Sequence, residues 1–128
     1  MYIEFRRTGL PARAIFMIIF LYVMTNSLAA EVVTVKYRGP LSLNPFNCWE
    51  ITRSSFIKRV CYDDAQSYLV INLNGTYYHY CEVSINTIEA LLAASSMGKY
   101  FNQYIRGDGS LGPFDCRSKH TPNYPQLN

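Results

Sequence analysis

The sequence predicts an α+β fold in which a three-stranded antiparallel meander carries two C-terminal helices packed on one of its faces. Segments rich in β-branched and aromatic residues lie on both sides of Asn74-Gly75, the dipeptide most typical of a two-residue hairpin turn. Beyond residue 83 the apolar spacing changes from two to three or four, which indicates helices. The change of period places the helices after the sheet in the chain.

The predicted strands are three segments rich in β-branched and aromatic residues. The first covers 54–62 and ends at the turn-like stretch 63–66. The second covers 67–73, and the third, after Asn74-Gly75, covers 76–83. Short connections of this kind join antiparallel neighbours, so the three strands form a meander.

The two-residue turn also predicts the register of the second and third strands. It places Ile71 opposite Tyr78 and Leu69 opposite Tyr80, on the face that we assign to the helices. Because side chains alternate along a strand, the remaining residues lie on the outer face. These are Tyr68, Val70, Tyr77, His79 and Cys81.

Serine residues mark the start of each predicted helix. Ser84 suits an N-cap position ahead of an apolar stripe formed by Ile85, Ile88, Leu91 and Leu92. Ser95-Ser96 precedes a second helix that ends at Gly107. Its expected buried residues are Met97, Tyr100, Phe101, Tyr104 and Ile105.

Two segments flank this predicted domain, which covers 54–107. The N-terminal one, 30–53, alternates briefly like a strand but is interrupted at Gly39-Pro40 and Asn44-Pro45, so we expect turns. The C-terminal one, 108–128, contains Cys116 and becomes polar and rich in proline. We expect it to end in a loose tail.

The first 29 residues have the features of a secretory signal peptide. Arg6, Arg7 and Arg13 precede an apolar run at 14–24, which is shorter than the ~20 residues of a spanning helix. Small residues then precede a cleavage position after Ala29, or alternatively after Ala30. We expect secretion into a bacterial periplasm, with no membrane span after cleavage. The other interpretation is an uncleaved amphipathic anchor.

Cleavage would change the charge balance. The whole chain has 12 basic and 9 acidic residues, and residues 1–29 contain three Arg and one Glu, so 9 basic and 8 acidic residues remain. A nearly neutral domain lacks the positive surface expected of a nucleic-acid binder.

All four cysteines, Cys48, Cys61, Cys81 and Cys116, lie in the exported part. An even number in a small exported chain predicts two disulfides. No C-x-x-C spacing supports a zinc site, and neither a metal nor a cofactor is predicted. In a meander Cys61 and Cys81 are separated by a strand, so we expect each to bond to Cys48 or Cys116. A Cys61–Cys81 bond would require the first and third strands to be neighbours.

An ordered set of short motifs covers residues 54–107. It starts at Ser54-Ser55-Phe56-Ile57 and includes a Tyr-x-Tyr element in the third strand. The motif positions are Ser55, Tyr62, Asp63, Tyr78, Tyr80, Gly98, Asn102 and Ile105. In these motifs the segment resembles a KTSC domain. The resemblance implies a short module, found alone in bacterial proteins or at the C-terminus of some lysyl-tRNA synthetases. RNA binding has been suggested for the family because of those fusions.

Several residues are candidates for a binding surface. The outer face offers Tyr68, Tyr77 and His79, with Lys58 and Arg59 beside them if these turn outward. Tyr78 and Tyr80 are expected in the core rather than as a base-stacking platform. Asn102 is expected as a buried hydrogen-bonding residue. Arg53, Arg106 and Arg117 could cluster as an anion site, but scattered surface charge is the preferred interpretation.

No catalytic set is predicted, and we expect that the protein is not an enzyme. His79 and Cys81 point the same way, but the cysteine is expected in a disulfide and no third group orients the histidine. The sequence therefore favours a non-catalytic exported module that binds an unknown protein or small ligand through its outer sheet face. The alternative is a nucleic-acid (RNA) binding module, as suggested for the family.

Overall fold

The computed structural model describes residues 30–108 and 111–127, so the predicted signal segment 1–29 lies outside the described residues. The fold is α+β, with one six-stranded mixed sheet and two helices. The strands are β1 (Val32–Val35), β2 (Gly39–Ser42), β3 (Asn47–Glu50), β4 (Ile57–Asp63), β5 (Tyr68–Leu73) and β6 (Thr76–Tyr80). The helices are α1 (Ile85–Ala93) and α2 (Met97–Tyr100), and α2 continues into a π-helical turn (Phe101–Arg106). Short 3₁₀ turns cover Asp64–Gln66 and Cys116–Ser118.

The predicted meander is the centre of the sheet. Strand β5 pairs antiparallel with both β4 and β6, and Ile71 lies opposite Tyr78 as the turn predicted. Asn74 and Gly75 have φ angles of 51° and 96°, the left-handed values that a type I′ turn requires. The register of this hairpin is therefore confirmed.

The expectation of only three strands is wrong, because the N-terminal segment adds strands at both edges. The order is β2-β1-β6-β5-β4-β3, in which β3 is antiparallel to β4 and β1 is parallel to β6 at Val35 and Tyr77. Pro40, which was expected to break the chain, lies in the outermost strand β2. An edge strand tolerates proline because its outer N–H groups have no ladder partner.

The helices begin at the predicted caps. The Oγ of Ser84 accepts a hydrogen bond from the N–H of Thr87 at 3.3 Å, and Ser96 caps α2 in the same way. Gly107, with φ 78°, ends the π-helical turn. Tyr104 is 52 % exposed, so its predicted burial is wrong. The π-helical turn changes which side chains face the sheet, because it is wider than an α-helical turn.

The sheet has an apolar core on each face. The helix-side core includes Ile71, Ile88 and Phe101. The opposite face, which was expected to be a ligand surface, is covered by apolar residues of the N-terminal segment. These are Val33, Val35, Leu41, Leu43 and Phe46, and they pack with Cys61, Tyr68, Val70 and Cys81.

The C-terminal tail also covers this face, which corrects the expectation that it is loose. The ring of Tyr124 lies 5.6 Å from that of Phe46 and 5.9 Å from that of Tyr68, measured between centroids. Its hydroxyl donates a 2.7 Å hydrogen bond to Asp63, and Arg38 donates one of 2.8 Å to the carbonyl of Pro122. Aromatic packing and these hydrogen bonds anchor the tail.

Two disulfides join the flanking segments to the meander. Cys48 lies opposite Cys61 in neighbouring strands and bonds to it, and Cys81 bonds to Cys116. Both central cysteines thus bond outward as expected, and β4 and β6 are separated by β5. Within residues 30–108 and 111–127, no helix is both long enough and apolar enough to cross a membrane.

Candidate functional site

A cleft of about 530 Å³ lies beside β6 on the helix side of the sheet. We call it the tyrosine cleft. Its lining residues come from the start of β4, the β5–β6 hairpin and the π-helical turn. They are Phe56, Leu73, Asn74, Thr76, Tyr78, Tyr80, Asn102 and Arg106.

The π-helical turn supplies the polar side of the cleft. It carries Asn102 and Arg106, and both side chains are exposed. Single π-helical turns inside α-helices occur frequently at functional sites. The opposite wall includes Phe56, whose ring packs edge-on against that of Phe101 at 6.2 Å between centroids. The cleft therefore combines aromatic surface with polar groups.

Four polar side chains of the cleft have no hydrogen-bond partner in the described ranges. Arg106 is the one arginine of that part without a hydrogen bond or ion pair. Its counterparts Arg38, Arg53, Arg59 and Arg117 all bind carbonyls, hydroxyls or carboxylates. No hydrogen bond joins the hydroxyls of Tyr78 and Tyr80, or the amide of Asn102, to another described residue. These groups are available to a ligand.

The electrostatics of the cleft favour a ligand with hydrogen-bond acceptors. Burial raises the pKa of Tyr80, although Arg106 acts in the opposite direction, so the phenol stays protonated and can donate. The guanidinium of Arg106 only donates, and the amide of Asn102 both donates and accepts. Carboxylate, carbonyl and amide groups are complementary to this set.

Tyr78 and Tyr80 also line a second depression, which follows the outer edge of β6. This edge groove has a volume of about 400 Å³, and its other lining residues are Tyr37, His79, Asp115, Cys116 and Arg117. The Nζ of Lys36 lies 5.5 Å from the ring centroid of Tyr78 and 5.3 Å from that of Tyr37, which allows cation–π contacts with both. The two depressions thus share one aromatic border.

His79 is held by a hydrogen-bonded pair on the other face. Its Nδ1 lies 2.6 Å from the hydroxyl of Tyr68, which accepts a 3.1 Å hydrogen bond from Arg38. Because Arg38 only donates, the hydroxyl hydrogen of Tyr68 is free to bind Nδ1 of a neutral imidazole. Burial lowers the pKa of His79, and the charge of Arg38 lowers it further. Cys81 is disulfide-bonded, so it cannot act as a nucleophile paired with His79.

The outer-face residues predicted from the sequence are not brought together as one open surface. Tyr68 is fully buried, which corrects its assignment to a ligand surface. Arg59 binds both oxygens of Glu31 at 2.7 and 2.9 Å, and its Nε lies 2.6 Å from Glu50. An arginine held by two carboxylates is a poor anion receptor.

Tyr77 and Lys58 have local partners. The hydroxyl of Tyr77 accepts a 3.4 Å hydrogen bond from Arg59, and the exposed Nζ of Lys58 donates to the carbonyl of Ser55 at 3.2 Å. His79, another of the predicted surface residues, lines the edge groove.

Several motif positions support the fold. Tyr62 is buried and donates a 2.6 Å hydrogen bond to the carbonyl of Val83, and Ile105 lies in the helix-side core. The carboxylate of Asp63 accepts a hydrogen bond from the N–H of Ala65 as well as that from Tyr124.

Other motif positions border the cleft. Tyr78 and Tyr80 are half-buried, so they contribute both to the core and to the cleft. Asn102 is exposed, which corrects its expected burial. Sequence reasoning interpreted Arg106 as scattered surface charge, although its position four residues after Asn102 on a predicted helix is a usable signal.

Comparison with models of protein families identifies the central part of the chain. The family model described as KTSC domain matches residues 53–108, and no curated protein matches the chain. The matched range contains β4 to β6 and both helices, and every residue that lines the tyrosine cleft. Cys48, Cys116 and strands β1 to β3 lie outside it.

Proposed function

Residues 53–108 are a KTSC domain, and from this premise we propose that the protein is an exported, non-catalytic module that binds a protein or small ligand in the tyrosine cleft. One observation carries the proposal. The cleft gathers Tyr78, Tyr80, Asn102 and Arg106, whose polar groups have no partner among the described residues. The other arginines of the described residues all have hydrogen-bond or ion-pair partners, which sets Arg106 apart from them.

The disulfides support the exported location. Cys48–Cys61 and Cys81–Cys116 bonds are consistent with an oxidising compartment such as the bacterial periplasm. The apolar run at 14–24 behind three arginines is the matching sequence feature.

The chemistry of the lining residues supports binding rather than catalysis. No carboxylate, histidine or cysteine lines the tyrosine cleft, so the hydroxyls of Thr76, Tyr78 and Tyr80 have no neighbouring base in the cleft that would activate them. Arg106 and Asn102 instead suit recognition of a carboxylate or amide, and the rings of Phe56 and Tyr78 supply apolar contact.

Site-specific photo-cross-linking tests the proposal. A photoreactive phenylalanine derivative replaces Thr76, an exposed residue of the cleft, in protein secreted by its host. The matched control places the same group at Glu89, an exposed position of α1 outside the cleft. We expect adducts at position 76 and none at position 89, and fewer adducts when Arg106→Gln is added. Lys99→Gln, an exposed cation of α2, should leave them unchanged. No adduct at position 76, or equal adducts at both positions, would count against the cleft.

Single-stranded RNA binding is a second candidate, because two tyrosines beside an unpaired arginine match the aromatic and cationic groups that such proteins use. It predicts salt-dependent binding that weakens with Tyr78→Ala, and also with Tyr77→Ala or Lys58→Ala. Absence of binding at ~50 mM salt, where phosphate contacts are strong, would eliminate it.

A further inference from the structure

The outer edge of β6 is paired at both ends and open between them. The carbonyl of Tyr77 accepts a 2.8 Å hydrogen bond from the N–H of Lys36, and the N–H of Cys81 donates one of 2.8 Å to the carbonyl of Phe114. Main-chain groups of alternate residues point to the same edge of an antiparallel strand. The N–H and C=O of His79 therefore point to this edge as well, and neither has a hydrogen-bond partner there in the described part of the chain.

This gap is short and sits in a groove. Tyr77 and Cys81 are four residues apart, which corresponds to about 13 Å along a strand. The edge groove of about 400 Å³ lies at the gap, with Asp115 and Arg117 beside it. Proteins usually cover open strand edges because unpaired main-chain groups attract other strands. Here the N-terminal hairpin covers the edge at Tyr77 and the C-terminal segment covers it at Cys81. The main chain of His79 between them stays uncovered.

Tyr37 is a second unusual feature of the groove. Its φ is 69°, a left-handed value that is rare for a bulky aromatic residue, and its side chain is 86 % exposed. Backbone conformations of this kind persist where the surrounding structure enforces them, and they occur often at ligand sites. The turn between β1 and β2 thus holds an exposed ring beside the open main chain of His79.

We propose that the edge groove binds a short extended segment of another polypeptide, about three residues long, which pairs with the main chain of His79. An extended peptide offers a C=O that accepts from the N–H of His79 and an N–H that donates to its C=O. In antiparallel pairing, the residue opposite His79 supplies both. The residues on either side of it then project toward the face that carries Tyr78 and Tyr80, and so toward the tyrosine cleft. This inference rests on the proposed binding function and names its ligand as peptide.

The charges of the groove fit a peptide better than a nucleic acid. The guanidinium of Arg117 binds Asp115 at 2.8 Å, and the nearby Lys119 lies 3.5 Å from Glu82. Both cations are paired with carboxylates, and Lys36, the other cation beside the groove, lies over the rings of Tyr37 and Tyr78. Main-chain pairing needs no charge, and the rings of Tyr37, Tyr78 and Tyr80 supply apolar contact to the flanking side chains.

A capped tripeptide, acetyl-Val-Thr-Val-amide, is the probe for this site, measured by amide NMR on the secreted protein. We expect a saturable shift of the His79 amide, with a dissociation constant on the order of 1 mM, and slower exchange of its hydrogen with solvent. The matched control is the same peptide with an N-methyl group on the central residue. That group removes the N–H that would bind the carbonyl of His79, so its binding should be at least tenfold weaker.

Two variants of the protein distinguish binding by the main chain of His79 from binding by its side chain. His79→Ala keeps the N–H and should still bind the tripeptide, whereas His79→Pro lacks it and should not. If His79→Pro fails to fold, the N-methyl peptide still provides the test on the unaltered protein. Equal binding of both peptides, or no shift of the His79 amide, would overturn the peptide proposal. Cross-linking at position 76 would be unaffected by that result, so failure of this inference is distinguishable from failure of the cleft.

Discussion

The ring of Phe56 occupies the space into which a side chain at position 98 would extend. A Cβ atom built on Gly98 would lie 2.6 Å from Cε1 of Phe56, which is closer than carbon atoms approach in proteins. Gly98 therefore allows α2 to contact the wall of the tyrosine cleft. This motif position requires glycine because the helix and the ring of Phe56 approach each other closely.

Gly98→Ala should destabilise the protein by about 1–2 kcal/mol, because the overpacking cost of about 1–3 kcal/mol exceeds the gain in helix propensity of up to about 1 kcal/mol. Urea unfolding measures the change. In a Phe56→Leu background, where the ring is absent, Gly98→Ala should cost less or become neutral. Equal costs in the two backgrounds would show that the contact with Phe56 is not the reason for glycine.

Tyr124→Phe should lower the free energy of unfolding by about 1–3 kcal/mol, since it leaves the carboxylate of Asp63, which is only 5 % exposed, without one of its hydrogen bonds. Tyr104→Phe is the matched control, because Tyr104 is exposed and its hydroxyl binds no other described residue. Urea unfolding of both variants compares them. Equal stability of Tyr124→Phe and the unaltered protein would mean that the hydrogen bond to Asp63 does not stabilise the fold.

Stability should fall as pH decreases below about 6.5. Burial and the charge of Arg38 lower the pKa of His79 below its ordinary value of 6.5, so the folded state favours the neutral imidazole. The stabilisation that comes from neutral His79 is complete above the pKa of this histidine in the unfolded chain. It is lost as the pH falls through the pKa of His79 in the folded protein. Tyr68 and Asp115 also act on this ring, and Asp115 opposes the shift.

Midpoints of urea unfolding at about pH 7.5 and about pH 5.5 measure this effect. Both pH values lie above the range in which carboxylates ordinarily titrate. Glu31 and Asp115, whose pKa values are lowered by Arg59 and Arg117, lose their contributions only at lower pH. His79→Gln should reduce the difference between the two midpoints, and His120→Gln should leave it. A difference that persists in His79→Gln would assign the effect to another group.

The two disulfides should stabilise the protein to different extents. The Cys81–Cys116 bond closes a loop of 35 residues and the Cys48–Cys61 bond one of 13. In the chain-entropy account, the longer loop contributes about 0.9 kcal/mol more to stability, on top of the typical ~2–4 kcal/mol for each bond. Paired Cys→Ala variants at each bond, compared by urea unfolding, measure the difference. A larger loss from the Cys48–Cys61 pair would contradict this order.

Local signals predicted the centre of the fold. Asn74-Gly75 specifies one turn type, and that turn fixes which residues of β5 and β6 face each other. Strand β2 was missed because Pro40 was interpreted as a break, whereas β1 was recognised as a brief strand-like alternation. Proline is tolerated in an edge strand, but which strand lies at the edge is known only when the order of the whole sheet is known. Burial of Tyr68 was missed for the same reason, since the segments that cover it are distant in sequence.

The cleft could not be predicted from the sequence to the same degree. Tyr78 and Tyr80 were placed on the correct face but assigned wholly to the core. The positions of Asn102 and Arg106 depend on a π-helical turn, which no apolar period indicates. The sequence does not show which arginines have partners, because those partners are set by the folded structure.

The mass of the protein recovered from a secreting host, before and after reduction with alkylation, tests most directly that this KTSC module works outside the cytoplasm in an oxidised state. We expect a mass that lacks residues 1–29 or 1–30, with four thiols that become alkylated only after reduction. Proteolysis without reduction should yield peptides linked through Cys48–Cys61 and Cys81–Cys116. A full-length mass with four free thiols would contradict the account and place nucleic-acid binding first.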